Sequence, residues 1–154
     1  MNQYITIDSE EKYFKDKKLN LNFFDTKYKN KIIDIKPQGK GFFWFACGTE
    51  WLDLCLEREN FYKLVNKKIY QLDIDESKIL IIDSIKKVKE FTEKYGSNKI
   101  IGFIDWKKVM KEYSGFKCCP YKLDKIIWEN EKYIWFRTLD CASGCIWNPN
   151  IISN

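Results

Sequence analysis

The sequence predicts an α+β fold in a single domain over residues 1–154, built on a mixed, mostly antiparallel β-sheet that is open to a split and carries three to four helices. Three observations carry this expectation. Segments of strand and helix character are interspersed without a regular βαβ repeat. No internal repeat, low-complexity linker or Pro/Gly cluster marks a boundary, and Pro occurs only at positions 37, 120 and 149. A chain of about 150 residues buries roughly 68–70% of its unfolded surface, enough for a core without metal or disulfide staples.

The elements follow from local pattern. Tyr4-Ile5-Thr6-Ile7 alternates as a strand, and Asp8 or Ser9 caps a short polar helix through Lys18, with Glu10 and Glu11 in its first turn. Residues 1–25 are expected to form an N-terminal extension packed on the core. Lys31–Lys36 reads as a strand stopped by Pro37, and Gln38-Gly39-Lys40-Gly41 turns the chain into an aromatic strand, Phe42–Cys47. Thr49 caps a helix with Trp51, Leu52, Cys55 and Leu56 on one face. Ile69–Ile74 alternates as a strand, and Lys78–Asp83 is a β-branched run of the kind found in central strands. Ser84 caps a helix with Ile85, Val88, Phe91 and Tyr95 on its apolar face, closed by Gly96. Asp105 caps another, striped by Trp106, Val109, Met110 and Tyr113, with Gly115 as its left-handed terminator. Three strands complete the chain: Phe116–Cys119, Tyr133–Arg137 and Gly144–Trp147.

Composition excludes several chemistries. The chain has no His, so Ser-His-Asp and Cys-His catalysis, His-ligated zinc and imidazole proton shuttling are ruled out. The net charge is +5, but of 27 basic residues only Arg58 and Arg137 are arginine. Sequence-specific nucleic-acid readers lean on the planar Arg fork, so scattered Lys argues against that partner class. Non-specific binding through Lys stays open as a further reading, with steep salt dependence as its mark. Met1–Asp8 is not a secretory signal, and the longest apolar stretch, Gly41–Gly48, falls far short of the ~20 residues of a membrane helix. The expected location is therefore cytoplasmic, in the host cell if the chain is viral, with no membrane partner. The six Cys are expected to be mainly reduced and not to hold a metal, since none of them makes a Cys-x-x-Cys pair.

Two segments could hold a site. In Lys36–Trp51 a basic Gly turn precedes an aromatic strand and a helix N-terminus, suited to an anion, although the pattern alone favours a hairpin turn with core aromatics. Leu139–Pro149 sets Asp140, Ser143, Cys141 and Cys145 among small residues that let a ligand approach. Asp140 there is either an acid/base group or a turn cap. Cys145, with no His or clear cation beside it, reads as an inert buried thiol. Ile104–Phe116 is explained by helix capping alone.

Lys36-Pro37, Trp44…Cys47-Gly48…Glu50-Trp51, Ile104-Asp105-Trp106…Val109…Tyr113-Ser114-Gly115 and Asp140…Ala142-Ser143-Gly144-Cys145-Ile146-Trp147-Asn148 together resemble a group of small proteins of large viruses, phages and microbes, over residues 30–148. The order of elements in that group is similar to the ADP-ribosyltransferase-like split sheet, which binds NAD between two small sheets. The resemblance implies a nucleotide cleft lined by Lys36, Lys40, Trp44 and Trp51 on one side and by Tyr113, Asp140 and Ser143 on the other. In it, Lys36 or Lys40 would hold pyrophosphate, Trp44 would stack on a base, and Asp140 would stabilise a cationic sugar or act as base. The match to active transferases is incomplete: Lys36 or Lys40 stands for the usual Arg or His, Ala46 for a Ser or Tyr, and Asp140 or Glu131 for the acid. The alternative function is a non-catalytic protein that contacts a host or viral protein, or a virion component, with exposed Trp and Tyr as anchors.

Overall fold

Tyr4-Ile5-Thr6-Ile7-Asp8 is extended, as its alternation requires, and forms β1 (Tyr4–Asp8) in a computed structural model that describes residues 4–8, 13–24, 33–58 and 67–153. Six further strands join it: β5 (Phe43–Cys47), β6 (Lys68–Ile74), β7 (Ile79–Ile81), β9 (Gly115–Cys118), β10 (Ser143–Ile146) and β11 (Ile152–Ser153). Their order is β11-β6-β1-β5-β10-β9-β7, and only the β7–β9 pair is parallel. Two ribbons stand apart, β2 (Phe14–Lys15) with β3 (Lys18–Leu19), and β4 (Ile33–Asp34) with β8 (Ile104–Asp105). The α+β class is as expected. Among the described residues there are five α-helices: α1 (Glu50–Glu57), α2 (Ile85–Tyr95), α3 (Trp106–Glu112), α4 (Lys125–Glu129) and α5 (Ile134–Arg137).

The sheet is unevenly sewn. β1 pairs with β6 along its length, from Tyr4↔Leu72 to Asp8↔Lys68, but with β5 only at Tyr4↔Cys47 and Ile5↔Ala46. β5 then continues with β10 through Phe43↔Ile146. Beyond Ile5 the sheet parts into a β11-β6-β1 half and a β5-β10-β9-β7 half. Opposed residues of a ladder share a face, so Trp44, Cys145 and Phe116 look to one side and Phe43 and Ile146 to the other. On the first side α2, α3 and α5 pack Val88, Phe91, Trp106, Val109 and Trp135 against Phe116. On the second, Phe14, Leu19 and Phe24 cover Phe43, Phe45 and Leu72.

Several elements depart from expectation. The N-terminal segment is built into the sheet between β5 and β6 rather than laid over it as an extension. Of the expected helix to Lys18, residues 9–12 lie outside the described residues, and Phe14–Leu19 is a hairpin. Asp16 and Lys17 turn it with φ of 52° and 64°, the left-handed pair a tight hairpin demands. The strand expected at 31–36 survives only as β4, positions 31 and 32 lying outside the described residues. The Lys78–Asp83 run is an edge strand, not a central one. Its apolar character reflects burial on both faces, Ile79 in one core and Leu80 against the other. Tyr133–Arg137 is helical, because Trp135 and Phe136 bury themselves against α2 and Tyr121 rather than in a ladder. Gly115 does not end a helix in the left-handed region. It opens β9, where a Cβ would lie 2.7 Å from the Cys145 carbonyl oxygen. Ser84 caps α2 by accepting from the Lys87 amide at 3.3 Å, but Thr49 and Asp105 make no side-chain cap. On α1, Cys55 is buried but Leu56 is exposed. Four of the six cysteines, Cys55, Cys118, Cys141 and Cys145, are free and buried, in keeping with mainly reduced thiols, and the other two, Cys47 and Cys119, form a disulfide. No helix among the described residues is long and apolar enough to cross a membrane.

Candidate functional site

The parting of β1 from β5 opens a cleft of about 390 Å³. Ile5 and Thr6 line it from β1, Trp44 and Ala46 from β5, Trp51 from α1, and Asp140 and Ser143 from the end of the chain. Where the ladder stops, the Thr6 hydroxyl donates to the Trp44 carbonyl at 3.2 Å and holds the two lips in register. The Trp44 indole N–H donates to the Pro37 carbonyl at 3.1 Å, and its ring meets Phe116 edge-on at 5.9 Å. That leaves Trp44 half-buried, with its orientation fixed from both ends.

The segment carrying Asp140 is held from two directions. Its Ala142 N–H donates to Glu50 Oε2 at 2.7 Å, and its Ala142 carbonyl accepts from the Cys47 N–H at 2.9 Å. The Cys47–Cys119 disulfide lies just there, one residue beyond the partners of Ser143 on the flanking strands, Ala46 and Cys118. Asp140 has a φ of 66° and faces Arg58 at 3.5 Å, with both side chains about half exposed. Such an exposed pair offsets charge but adds little stability. The Ser143 hydroxyl is buried and donates to the Cys141 carbonyl at 3.0 Å. Burial first, and then the Glu50 and Asp140 charges, push the Cys141 thiol up to about 11. Burial alone holds Cys118 well above the usual thiol range, and it outweighs a backbone hydrogen bond at Cys145. Buried thiols of this kind are poor nucleophiles.

Two lysines face the cleft, Lys36 and Lys67. Both are half-buried, and neither has an acidic partner among the described residues. Lys36, Trp44 and Tyr13 also line an adjoining open groove of about 550 Å³, together with Lys40 and Gln38.

The structure therefore brings together Lys36, Trp44, Trp51, Asp140 and Ser143, with Lys40 next door. Tyr113 is not among them. It ends α3, where its carbonyl accepts from the Trp147 indole N–H at 2.7 Å, and it packs on the helical core. Glu131 is exposed in a 3₁₀ turn and lines no part of the cleft, so Asp140 is the acid present there. Sequence reasoning missed Thr6, Tyr13 and Lys67, which reach the cleft only because β1, the hairpin and β6 converge on it. The six Trp divide by burial. Trp106, Trp135 and Trp147 are core, Trp44 and Trp51 are half-buried at the cleft, and Trp128 is 58% exposed on α4. Among the described residues no group of three or more His, Cys, Asp or Glu is placed to hold a metal.

No family model, curated protein or solved structure matches the chain.

Proposed function

We propose that the cleft at the sheet parting binds a nucleotide, with NAD as the first candidate. One observation carries this reading: two half-buried lysines with no acidic partner among the described residues, Lys36 and Lys67, face the same small cleft as Trp44 and Trp51. An ammonium in a partly desolvated wall attracts a phosphate more strongly than one in open water, and an indole face stacks on a base. Asp140 supplies an acceptor for sugar hydroxyls, while Arg58 keeps its charge from opposing the phosphate. The cleft volume lies within the ~300–1,000 Å³ usual for small-ligand sites. The reading is one of binding. On the resemblance to ADP-ribosyltransferases, Ala46 would stand for the Ser or Tyr of the active enzymes, so the reading does not extend to turnover of NAD.

Titration of the intrinsic tryptophan fluorescence with NAD, ADP and AMP tests it. Saturable quenching is expected, weakened about tenfold in Lys36→Ala, as loss of one charged contact of about 1.4 kcal/mol dictates. Radiolabelled NAD incubated with the protein, alone and with cell extract, measures turnover and transfer in parallel. Absence of quenching and of binding heat with all three nucleotides overturns the reading.

A further inference from the structure

We infer that the cleft and its adjoining groove together form a track for a single strand of nucleic acid, gripped without regard to sequence. This rests on the nucleotide reading and extends it from one unit to two or more. The two hollows share Lys36, Trp44 and Tyr13, so they are compartments of one depression with a lysine at the join. A strand lying along it would set one nucleotide in the cleft and the next in the groove, with the connecting phosphate at Lys36.

The chemistry of the second compartment fits this ligand. Asn20, Asn22 and Gln38 offer donors and acceptors to sugars and base edges, Lys40 adds positive charge, and among the described residues no carboxylate lines it. Gly39, with φ 94°, has nothing within 4 Å of the position a Cβ would take, so the turn leaves room for a backbone to pass. Tyr13, whose ring meets Phe43 edge-on at 4.9 Å, is held firmly at the join. The hairpin that carries Tyr13 and Asn20 continues into exposed Lys15, Lys17 and Lys18 around a single acid, Asp16, and extends the basic surface away from the groove. Aromatic faces with a lysine-lined channel are the means by which unpaired strands are held, because every base has a face to stack. Lysines lack the fork that reads guanine edges, so sequence preference is not expected. A duplex keeps its bases stacked on one another and cannot offer them to Trp44 and Trp51.

Fluorescence anisotropy with labelled oligothymidylate, oligouridylate and a duplex of equal length decides the matter, with AMP and NAD titrated on the same protein. The single strands are expected to bind more tightly than AMP and at least tenfold more tightly than the duplex. The logarithm of affinity should fall with the logarithm of salt with a slope of about −2, from some three lysine contacts at ~0.7 each. Lys36→Gln should lower that slope by about 0.7 and Trp44→Leu should weaken the single strand without changing the slope, with circular dichroism confirming that each variant is folded. If AMP or NAD binds but lengthening the ligand adds nothing, the track is refuted and the nucleotide reading stands. If neither mononucleotide nor strand binds, both fall. A duplex bound as tightly as a single strand, or a single strand indifferent to Lys36→Gln and Trp44→Leu in the folded variants, also refutes the track.

Discussion

The Lys117 ammonium donates a hydrogen bond to the Tyr4 hydroxyl from three strands away in the sheet, β9 reaching over β10 and β5 to β1. Both residues are buried, at 2% and 3% exposure, and Glu76 closes the group by accepting from Lys117 at 2.9 Å and from the Tyr4 hydroxyl. The group ties together the two halves of a sheet whose ladder between them is only two residue pairs long. Removing the cation from such a site leaves its partners buried around a gap. Lys117→Ala is expected to cost about 3 kcal/mol in urea denaturation, and Lys117→Met, which keeps the stem and leaves Tyr4 and Glu76 bonded to each other, within about 1 kcal/mol.

The same group has a signature in pH. Burial pulls the Lys117 pKa down, but the hydrogen bonds to Tyr4 and Glu76 outweigh it and leave the pKa raised above the ordinary 10.5. A group whose pKa is raised by folding contributes its full stability below the unfolded value and loses it as pH climbs through the folded one. Denaturation midpoints should thus be insensitive to this group near neutrality and decline above about pH 10.5. In Lys117→Met that part of the alkaline decline should be missing.

Gly144 makes the crossing possible. A Cβ there would stand 2.4 Å from the Phe116 carbonyl oxygen and 2.4 Å from Phe45 Cζ, one of them backbone that cannot swing aside. Gly144→Ala should destabilise by about 3 kcal/mol and, by displacing β10, blunt the near-ultraviolet circular dichroism of the Trp residues.

The disulfide closes a loop of 72 residues, which on chain entropy alone is worth about 4 kcal/mol. Cys47→Ser should lose that amount under non-reducing conditions, and the difference from the parent chain should vanish when both are measured in excess dithiothreitol. By contrast Cys118, Cys141 and Cys145, with their thiols pushed up by burial, should resist iodoacetamide in the folded protein at mildly alkaline pH and react once it is unfolded, as peptide mass mapping would show.

At Asp140 the backbone sets the requirement. Its φ of 66° is tolerated by Asp, Asn and Gly but not by a β-branched residue. Asp140→Asn is expected to stay within about 0.5 kcal/mol of the parent despite losing the exposed Arg58 pair, while Asp140→Val should cost about 2 kcal/mol.

The elements legible in the sequence were those whose local signal agrees with their burial. α2 shows this best, with Ser84 before it and Val88, Phe91 and Tyr95 on one stripe. Lys78–Asp83 and Tyr133–Arg137 are both short apolar runs, and nothing in their composition distinguishes an edge strand covered on both faces from a buried helical turn. The hairpin at Asp16-Lys17 lacks the Gly or Asn that usually announces such a turn. At the cleft, Lys36, Trp44 and Asp140 stood out because special residues cluster around them along the chain. Lys67 and Thr6 did not, since each sits in an ordinary neighbourhood and gains its place only from the convergence of strands distant in sequence. Tyr113 failed for the opposite reason, belonging to a conspicuous segment whose features serve its own helix.

One strand carries a consequence for biosynthesis. β6 lies between β1 and β11, so Leu72 meets Tyr4 on one flank and Ile74 meets Ile152 on the other. On a ribosome its first neighbour has already emerged when β6 appears, but the second is not made until Ile152 has been added. Throughout that interval the backbone groups at Asp73 and Ile74 that β11 pairs stand bare, the condition under which a strand recruits a foreign chain. The C-terminal end of β6, Asp73 and Ile74, is thus an edge that a chaperone would have to protect until the last strand is made.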